Sequence, residues 1–418
     1  MKFVFTVGSL IKALIYLMAF SITFYNIGIS LGPIKVNIPL ISILILDTIL
    51  VFKEKFNSKN VLLLGLFFLI CLMSGIIRHP FLSYFPSLSF TLALLLPLCV
   101  NWEKIGIEKE RMLNYLVSGA LLSILFIPFE LYFRYMHLFG FEGNELWLNF
   151  GGHSLLFYRV SSTMSEPSHY MVVLSFIYIL VDIAIKKGYQ IKYIRLFKYG
   201  YFGALILSVS LSGIALILFY FLMKFIYFTL KCIENKVKLK ISRRVIFGII
   251  GGIVLLFIVN SFSNNLIGKI VSRVKDRVLV TKDLIREQKS IDSEGVRSSF
   301  IWVSKIYLTN SSEFNILLGE GYSNYQKWLR NNESKIGYKT GEVYNLFLAL
   351  LLSIGVLGLI VFVILVINLA DIDFRRGDDV IFLATLFVSF LSHGYLIMYW
   401  VWLPILFFKI IKRDHNLI

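Results

Sequence analysis

Long runs of apolar residues, separated by short polar segments, follow one another along most of the chain. A helix of roughly 20 apolar residues is long enough to cross a ~30 Å hydrocarbon core. The first run is expected to remain as a membrane helix, because it lacks a small-residue cleavage site and is too long for a signal peptide. Single spans are predicted near residues 10–31, 36–52, 60–77, 83–100, 112–131, 166–185, 245–262 and 345–369.

Two further apolar runs, at residues 199–230 and 380–408, are too long for one span yet short for two. Each run has small or polar residues near its middle, where a helix can break. These residues are Ser210, Ser212 and Gly213 in the first run, and Ser392, His393 and Gly394 in the second. We therefore predict a tight helical hairpin in each run.

The connections between the runs carry most of the lysine and arginine residues, and the positive-inside bias assigns such connections to the cytoplasm. With both hairpins, all the basic segments fall on one side of the membrane. These segments cover residues 53–59, 101–111, 186–198, 231–244, 374–376 and 409–413. The sequence thus predicts about twelve spans with both termini in the cytoplasm.

Composition agrees with this arrangement, since 57% of the residues are hydrophobic, 16% are charged and the mean hydropathy is +0.77. Soluble domains keep about a quarter of their residues charged. The net charge of +17 lies in the linkers beside the spans, which argues against nucleic acid and for membrane lipids as partners. Cys71, Cys99 and Cys232 suggest neither a disulfide framework nor a zinc-type spacing, and no cofactor is expected.

Two connections on the predicted outer side are long, at residues 132–159 and 263–341. The chain is therefore divided into membrane helices with the first outward loop (1–262), a large outward helical loop (263–341) and C-terminal membrane helices (342–418). Apolar residues at helical spacing predict amphipathic helices near 267–288 and 295–309 within the large loop.

The segment "YRVSSTMSEPSHYMVVL", residues 158–174, lies where the first outward loop meets a span. Pro167 suits the first turn of a helix, and a residue before proline avoids helical backbone, so Glu166 is expected to cap the helix. Glu166 and His169 are three residues apart and can share one face toward an outward cavity. The alternative is a capping motif beside a solvated loop arginine, Arg159.

A second cluster of polar and small residues lies in the large loop and in the span that follows it. Its parts read "RSSFIW", "LLGEG" and "YNLFLALLLSIGVLG". Arg297 is expected to open an amphipathic helix and Asn345 to begin a span, while Gly319 and Gly321 allow a tight backbone turn. The alternative is purely structural, because small residues such as those at 355 and 358 often only let helices approach.

Together with "RVSSTMSEPS", these parts resemble, in order and at compatible distances, the motifs of the Wzy-type O-antigen polymerase and O-antigen ligase group. The resemblance covers about residues 110–410. It implies an all-α, polytopic, GT-C-like bundle in a bacterial cytoplasmic (inner) membrane, with an active site facing the periplasm or exterior. It also implies a glycan donor on undecaprenyl diphosphate, an acceptor sugar on another such lipid, and a flippase and a chain-length regulator as partners.

The chain departs from the family pattern at two positions. Tyr344 stands where many relatives, especially ligases, have a histidine, and Ser353 stands where an acidic residue is common. A mechanism that uses this histidine as a base is not expected here. The difference favours a polymerase over a ligase.

A glycan can leave a diphosphate only if a metal or cationic side chains stabilise the departing charge. The predicted outward segments carry no acidic metal cluster, and Asp371 and Asp373 of the single D-x-D fall in a cytoplasmic loop. A metal-independent reaction is therefore expected. Arginine binds phosphate oxygens in pairs, so Arg159 and Arg297 are predicted to bind the diphosphate and to act in catalysis.

The acceptor hydroxyl also needs a base, and Glu166 is the predicted one, the alternative being that it orients Arg159. His169 is a second candidate base. The predicted contacts to diphosphate or sugar are Arg159, Arg297, His169, Arg330, Tyr344 and Asn345, with Arg78 as a further outward arginine.

Two other functions remain open. An O-antigen ligase would transfer the finished chain to lipid A core. A transporter or flippase for the lipid-linked repeat would be expected to show internal repeats and charges near the membrane midplane. No convincing repeat relates the two halves, and Asp47 and Asp182 lie near predicted cytoplasmic ends.

Overall fold

The computed structural model of the protein is helical through most of the residues it describes. These are residues 6–24, 28–31, 34–53, 56–78, 81–138, 162–164, 167–208, 210–234, 300–322, 325–336, 343, 345–391 and 398–412. Within these ranges the chain forms fifteen α-helices, two short 3-10 turns and one two-stranded antiparallel sheet.

The first half of the chain contains eight of the helices. They are α1 (Val7–Ser21), then β1 (Gly28–Leu31) and β2 (Ile34–Asn37), α2 (Ile38–Lys53), α3 (Ser58–Arg78), α4 (Phe81–Leu95), α5 (Lys109–Leu138), α6 (Pro167–Lys186), α7 (Ile194–Ser208) and α8 (Leu211–Glu234). The 3-10 turns, Leu96–Cys99 and Trp102–Ile105, connect α4 to α5.

The second half contains the other seven. They are α9 (Phe300–Asn310), α10 (Glu313–Leu318), α11 (Tyr325–Asn331), α12 (Glu333–Ile336), α13 (Leu346–Leu369), α14 (Gly377–Leu391) and α15 (Tyr399–Lys412).

Five stretches of the described helices are long and apolar enough to cross a membrane. They are Ser58–Ile76, Lys109–Tyr132, Ser168–Lys186, Ser212–Glu234 and Leu346–Leu369. The protein is therefore a helical membrane protein with several spans, as the apolar runs predict. The total of twelve spans stays a prediction.

Helix α6 lies at the centre of the bundle, where it packs against α5, α7, α8 and α15 and is almost entirely buried. Helix α8 lies at the periphery, and its apolar side chains are largely exposed, with Phe225 60% and Ile233 66% accessible. An apolar face of this size in a membrane protein contacts lipid.

Helices α6 and α8 run in the same direction. Gly213, at the start of α8, lies against Met171 near the start of α6. Lys224, eleven residues further along α8, pairs with Asp182, eleven residues further along α6, at 2.7 Å.

Helix α7, between them in the chain, runs the opposite way. The hydroxyl of Tyr201 lies 2.9 Å from that of Ser175, whereas Lys198, earlier in α7, lies over the ring of Tyr178, later in α6. The chain therefore reverses between α7 and α8, close to Ser210. This confirms the hairpin predicted in the run 199–230.

The run 380–408 also forms a hairpin, as predicted. Asp379 at the start of α14 forms an ion pair with Lys412 at the end of α15. Phe390 at the end of α14 lies near Trp402 at the start of α15, with ring centroids 6.2 Å apart. The two helices are thus antiparallel, while the central residues 392–394 lie outside the described part.

The predicted cytoplasmic connections meet at one end of the bundle, here called the basic end; the opposite end is called the distal end. The contacts that join them pair Asn57 with Cys99, Leu98 with Lys409, Lys187 with Ile411 and Lys412, Lys186 with Asp378, and the backbone of Gln190 and Lys192 with Glu110 and Asn114. Basic connections on one side are what the positive-inside bias predicts, so the basic end is expected to face the cytoplasm.

The chain passes from the basic end to the distal end of the bundle between α8 and α9. Helix α8 ends at Glu234 at the basic end, whereas α9 begins at Phe300 and packs near the distal start of α13. The span predicted at 245–262 and the amphipathic helix predicted at 267–288 lie outside the described residues. The helix predicted at 295–309 is found as α9. The first outward loop was predicted to begin at 132, but α5 continues to Leu138.

The span predicted at 10–31 is wrong in its second half. Helix α1 ends at Ser21, and Gly28–Leu31 forms strand β1, which pairs with Ile34–Asn37 in the register Leu31 to Ile34. The sequence between the strands is Gly-Pro, a pair that favours turns. Hydropathy alone does not distinguish an apolar strand from the end of an apolar helix.

The short helices α9 to α12 form a second, smaller core against the distal end of α13. Its buried members are Val303, Ile306, Tyr307, Leu329, Ile336, Val343, Leu348, Ala349 and Leu352. The described part of the predicted outward loop is thus helical and packs on the membrane bundle.

Candidate functional site

Part of the motif segment before α6 is fixed in the interior of the bundle at the distal end. The backbone N–H of Ser162 donates to Glu130 Oε2 at 2.8 Å, and its hydroxyl donates to the carbonyl of Ser123, both in α5. The hydroxyl of Thr163 donates to the carbonyl of Thr23, just after α1, at 2.6 Å. Both side chains are buried, so this segment holds the distal ends of α1, α5 and α6 together.

Helix α6 begins at Pro167, as its sequence predicts. His169, two residues later, is 7% exposed, and its ring lies 4.8 Å from that of Trp400 at the start of α15, tilted by 36°. This packing gives His169 a structural role, and its predicted role as a base stays a prediction. Arg159 and Glu166 lie outside the described residues, so their roles stay predictions.

Helix α13 is broken within its distal third. Gly355 has φ +69° and ψ −171°, a conformation that interrupts the helix and that L side chains rarely adopt. The carbonyls of Leu352 and Ser353 come just before the break and need partners outside the helix. Irregular backbone at membrane depth is tolerated only where other groups satisfy it.

The turn after α10 supplies two of these partners. The backbone N–H of Glu320 donates to the carbonyl of Leu352 at 2.7 Å, and that of Gly321 donates to the carbonyl of Ser353 at 3.0 Å. The hydroxyl of Ser74 in α3 also donates to Ser353, at 2.7 Å. Three donors from two distant segments thus complete the hydrogen bonding at the break.

Glycines make this close approach possible. Gly319 has φ +81° and Gly321 has φ +108°, which confirms the tight turn predicted for "LLGEG". A Cβ at Gly319 would overlap the backbone of Ser353, and a Cβ at Gly355 would overlap the carbonyl of Leu317. The two glycine motifs, more than 30 residues apart in sequence, therefore form one interlocked contact.

Tyr322 continues the turn into the bundle. Its side chain is 5% exposed, and its hydroxyl lies 2.9 Å from that of Thr91 in α4. Thr91 is ten residues into α4, roughly 15 Å along the helix from its start, so the turn reaches well below the distal surface.

Asn345 comes immediately before α13, which confirms the predicted start of this span, and its side chain caps the helix. Its Oδ1 accepts from the N–H of Leu348 at 3.0 Å, and the side chain is 2% exposed. Its Nδ2 has no hydrogen-bond partner among the residues that the structure describes. A buried amide donor without a partner is costly, so Asn345 is a position at which to test for contact with a ligand.

The remaining predicted residues fall in different places. Arg330 is exposed on α11, on the side away from the small core, while Arg297 and Tyr344 lie outside the described part, as does the side chain of Arg78. Asp371 and Asp373 lie at the basic end, where Asp373 pairs with Arg376 at 3.3 Å. The D-x-D is thus in the polar connection between α13 and α14.

Substitution of Ser74 tests whether the hydrogen bonds at the break stabilise the protein. Ser74→Ala is expected to lower stability by about 1 kcal/mol, because the Ser353 carbonyl loses a buried donor. The midpoint of thermal unfolding in detergent should fall by about 2 °C. Ser42→Ala is the matched control, since the buried Ser42 hydroxyl donates only within its own helix, to Ile38 at 2.8 Å. An equal loss in both variants would contradict a special role for Ser74.

Comparison of the sequence with protein-family models gives no match, and comparison with curated proteins gives none either. The fold defines the class: a multi-pass helical membrane protein with interlocked, partly irregular backbone at the distal end of the bundle. Sequence reasoning identified the two glycine motifs and the start of α13 at Asn345. It missed Ser74, Thr91 and Tyr322, because single hydroxyl groups in or beside apolar runs carry no distinctive pattern.

Proposed function

We propose that the protein is a polysaccharide (O-antigen) polymerase of the Wzy type. In this proposal it transfers a growing glycan from undecaprenyl diphosphate to the sugar of another lipid-linked repeat unit, at the outer face of a bacterial cytoplasmic membrane. The distal end of the bundle is then the periplasmic or exterior side.

The observation that supports this proposal most is the meeting of motif segments at the distal end. "LLGEG" and "YNLFLALLLSIGVLG" are joined by backbone hydrogen bonds, and the buried Nδ2 of Asn345, from the same motif, has no partner among the described residues. The segment around Ser162 and Thr163 is anchored at the same end. Segments that resemble one family's motifs and converge in space are better support than any of the short motifs alone.

The proposed reaction needs two kinds of group. Arg159 and Arg297 bind the diphosphate in pairs of hydrogen bonds and stabilise the charge that develops as the bond between the anomeric carbon and the diphosphate oxygen breaks. The acceptor hydroxyl attacks the anomeric carbon, and its proton passes to Glu166. The products are the extended lipid-linked glycan and free undecaprenyl diphosphate.

The deciding experiment is polymerisation by the purified protein with a defined undecaprenyl-diphosphate-linked repeat. A ladder of longer lipid-linked glycans is expected. A second reaction contains lipid A core as the acceptor, and transfer to core alone would identify a ligase. Absence of any new glycosidic bond, while the lipid-linked repeat crosses proteoliposome membranes, would identify a transporter and overturn the proposal.

Asn345 allows a sharper test of the distal site. Asn345→Asp keeps the oxygen that caps α13 and removes the amide donor, but it also places a carboxylate on a side chain that is 2% exposed, so stability should fall by about 1–3 kcal/mol. If the free donor contacts the diphosphate or a sugar, polymerisation should fall about 10-fold or more. Asn345→Ala, which loses both groups, should lower stability as well. Full activity of Asn345→Asp would exclude this contact.

One observation favours the transporter as a second candidate. Asp47 in α2 is buried, at 8% exposed, and neither carboxylate oxygen has a partner among the described residues. Buried ionisable groups in spans often belong to proton or ion pathways. Asp47→Asn should leave polymerisation unchanged if the protein is a polymerase. A proton-coupled transporter with the same substitution would no longer move the lipid-linked repeat across the membrane.

A further inference from the structure

A groove of about 480 Å³ opens at the basic end, between the end of α6, the second half of α8 and the start of α14. Five cationic side chains and two carboxylates line it. The cations are Lys186, Lys187, Lys224, Lys231 and Arg376. The groove lies at the opposite end of the bundle from the proposed reaction and does not depend on it.

Internal ion pairs neutralise only part of this positive charge. Lys186 pairs with Asp378 and Lys224 pairs with Asp182, each at 2.7 Å. Arg376 pairs with Asp373 at 3.3 Å. Lys231, in the last turn of α8, forms no ion pair with another described residue. The groove therefore keeps a positive excess that suits an anionic ligand.

The groove continues into a surface that faces lipid. Tyr227 and Phe228 form part of its lining and are 40% and 52% exposed. On the same helix, Phe225 and Leu230 are 60% and 59% exposed. Tyrosine and lysine at the end of a span are typical of the membrane interface. A ligand here meets cations at one end and an apolar helix face at the other.

We propose that this groove binds the headgroup of an anionic phospholipid, with its phosphate among Lys186, Lys231 and Arg376. Its acyl chains lie along the exposed face of α8. Basic pockets between spans on the cytoplasmic side bind anionic headgroups by the same physics. A soluble phosphate would use the cations but gain nothing from the apolar face, so the amphiphile fits the whole surface better.

The test is retention of lipid by the full-length protein, purified from mixed detergent micelles that contain equal amounts of phosphatidylglycerol and phosphatidylcholine. Native mass spectrometry is expected to find at least about fivefold more bound phosphatidylglycerol, and added phosphatidylglycerol should raise the melting temperature. The double variant Lys231→Gln, Arg376→Gln should lose this preference. Lys231→Gln alone breaks no ion pair with a described residue and serves if the double variant does not fold.

The matched control is Lys192→Gln, Arg195→Gln, which removes the same charge from exposed positions at the basic end outside the groove. It should keep the preference for phosphatidylglycerol. Equal retention of the two lipids, or equal loss in both double variants, would overturn the proposal. A thermal shift of the same size with inorganic phosphate alone would assign the groove to a soluble anion and would overturn it too.

Discussion

Replacing Gly355 with alanine is expected to cause a large loss of stability. The left-handed backbone at Gly355 costs an alanine about 1–2 kcal/mol. The added Cβ would also overlap the Leu317 carbonyl, at a further cost of about 1–3 kcal/mol. The midpoint of thermal unfolding, followed by size-exclusion chromatography in detergent, should fall by about 5–10 °C.

Gly65→Ala in α3 is the matched control, because a Cβ at Gly65 would meet no atom within 4 Å. Alanine favours a helix more than glycine does, by about 1 kcal/mol, so this variant should be as stable as the parent or slightly more stable. Gly319→Ala, on the other side of the contact, should lose stability as Gly355→Ala does. If Gly355→Ala melts like Gly65→Ala, the interlock between the two motifs is not a stabilising contact.

Substitution of Arg297 by lysine is expected to have the largest effect on activity. Lysine keeps the charge but cannot donate two parallel hydrogen bonds to a phosphate. If Arg297 stabilises the departing diphosphate, polymerisation should fall about 100-fold or more, as when one donor to a developing charge is removed. The rate of ladder formation from a defined lipid-linked repeat measures this effect.

Arg195→Lys is the control for this substitution, since Arg195 is exposed in the first turn of α7 at the basic end. It should polymerise like the parent. Both variants should be present in equal amounts and melt at similar temperatures, so that a loss of activity is not a loss of folding. Normal chain length with stably folded Arg297→Lys would refute the proposed role of Arg297.

The elements predicted best from the sequence are those fixed by one dominant force. The need to bury about 20 apolar residues defines the spans, and the distribution of basic residues requires a reversal near Ser210. Both hairpins are confirmed by pairs such as Lys224 with Asp182 and Lys412 with Asp379. The start of α13 at Asn345 follows equally well, because a polar segment meets a long apolar run there.

What the sequence could not predict depends on residues far apart in the chain. Strand β1 has the same hydropathy as the end of a membrane helix and differs only in its pairing with β2. The break at Gly355 is visible in sequence only as a glycine, which many intact spans contain. The break also depends on Ser74, which lies 279 positions before its acceptor Ser353, and on the turn at Gly319 to Gly321.

The broken helix α13 has a consequence for how the protein is made. The carbonyls of Leu352 and Ser353, which lack partners within the helix, accept hydrogen bonds from α3 and from the turn after α10. Both of these segments precede α13 in the chain. When the ribosome releases α13, these partners have already been synthesised. The irregular backbone can therefore form its hydrogen bonds at once, without unpaired polar groups in the lipid. Moving this segment ahead of α3 by circular permutation would remove that advantage while keeping the hydrogen bonds at the break.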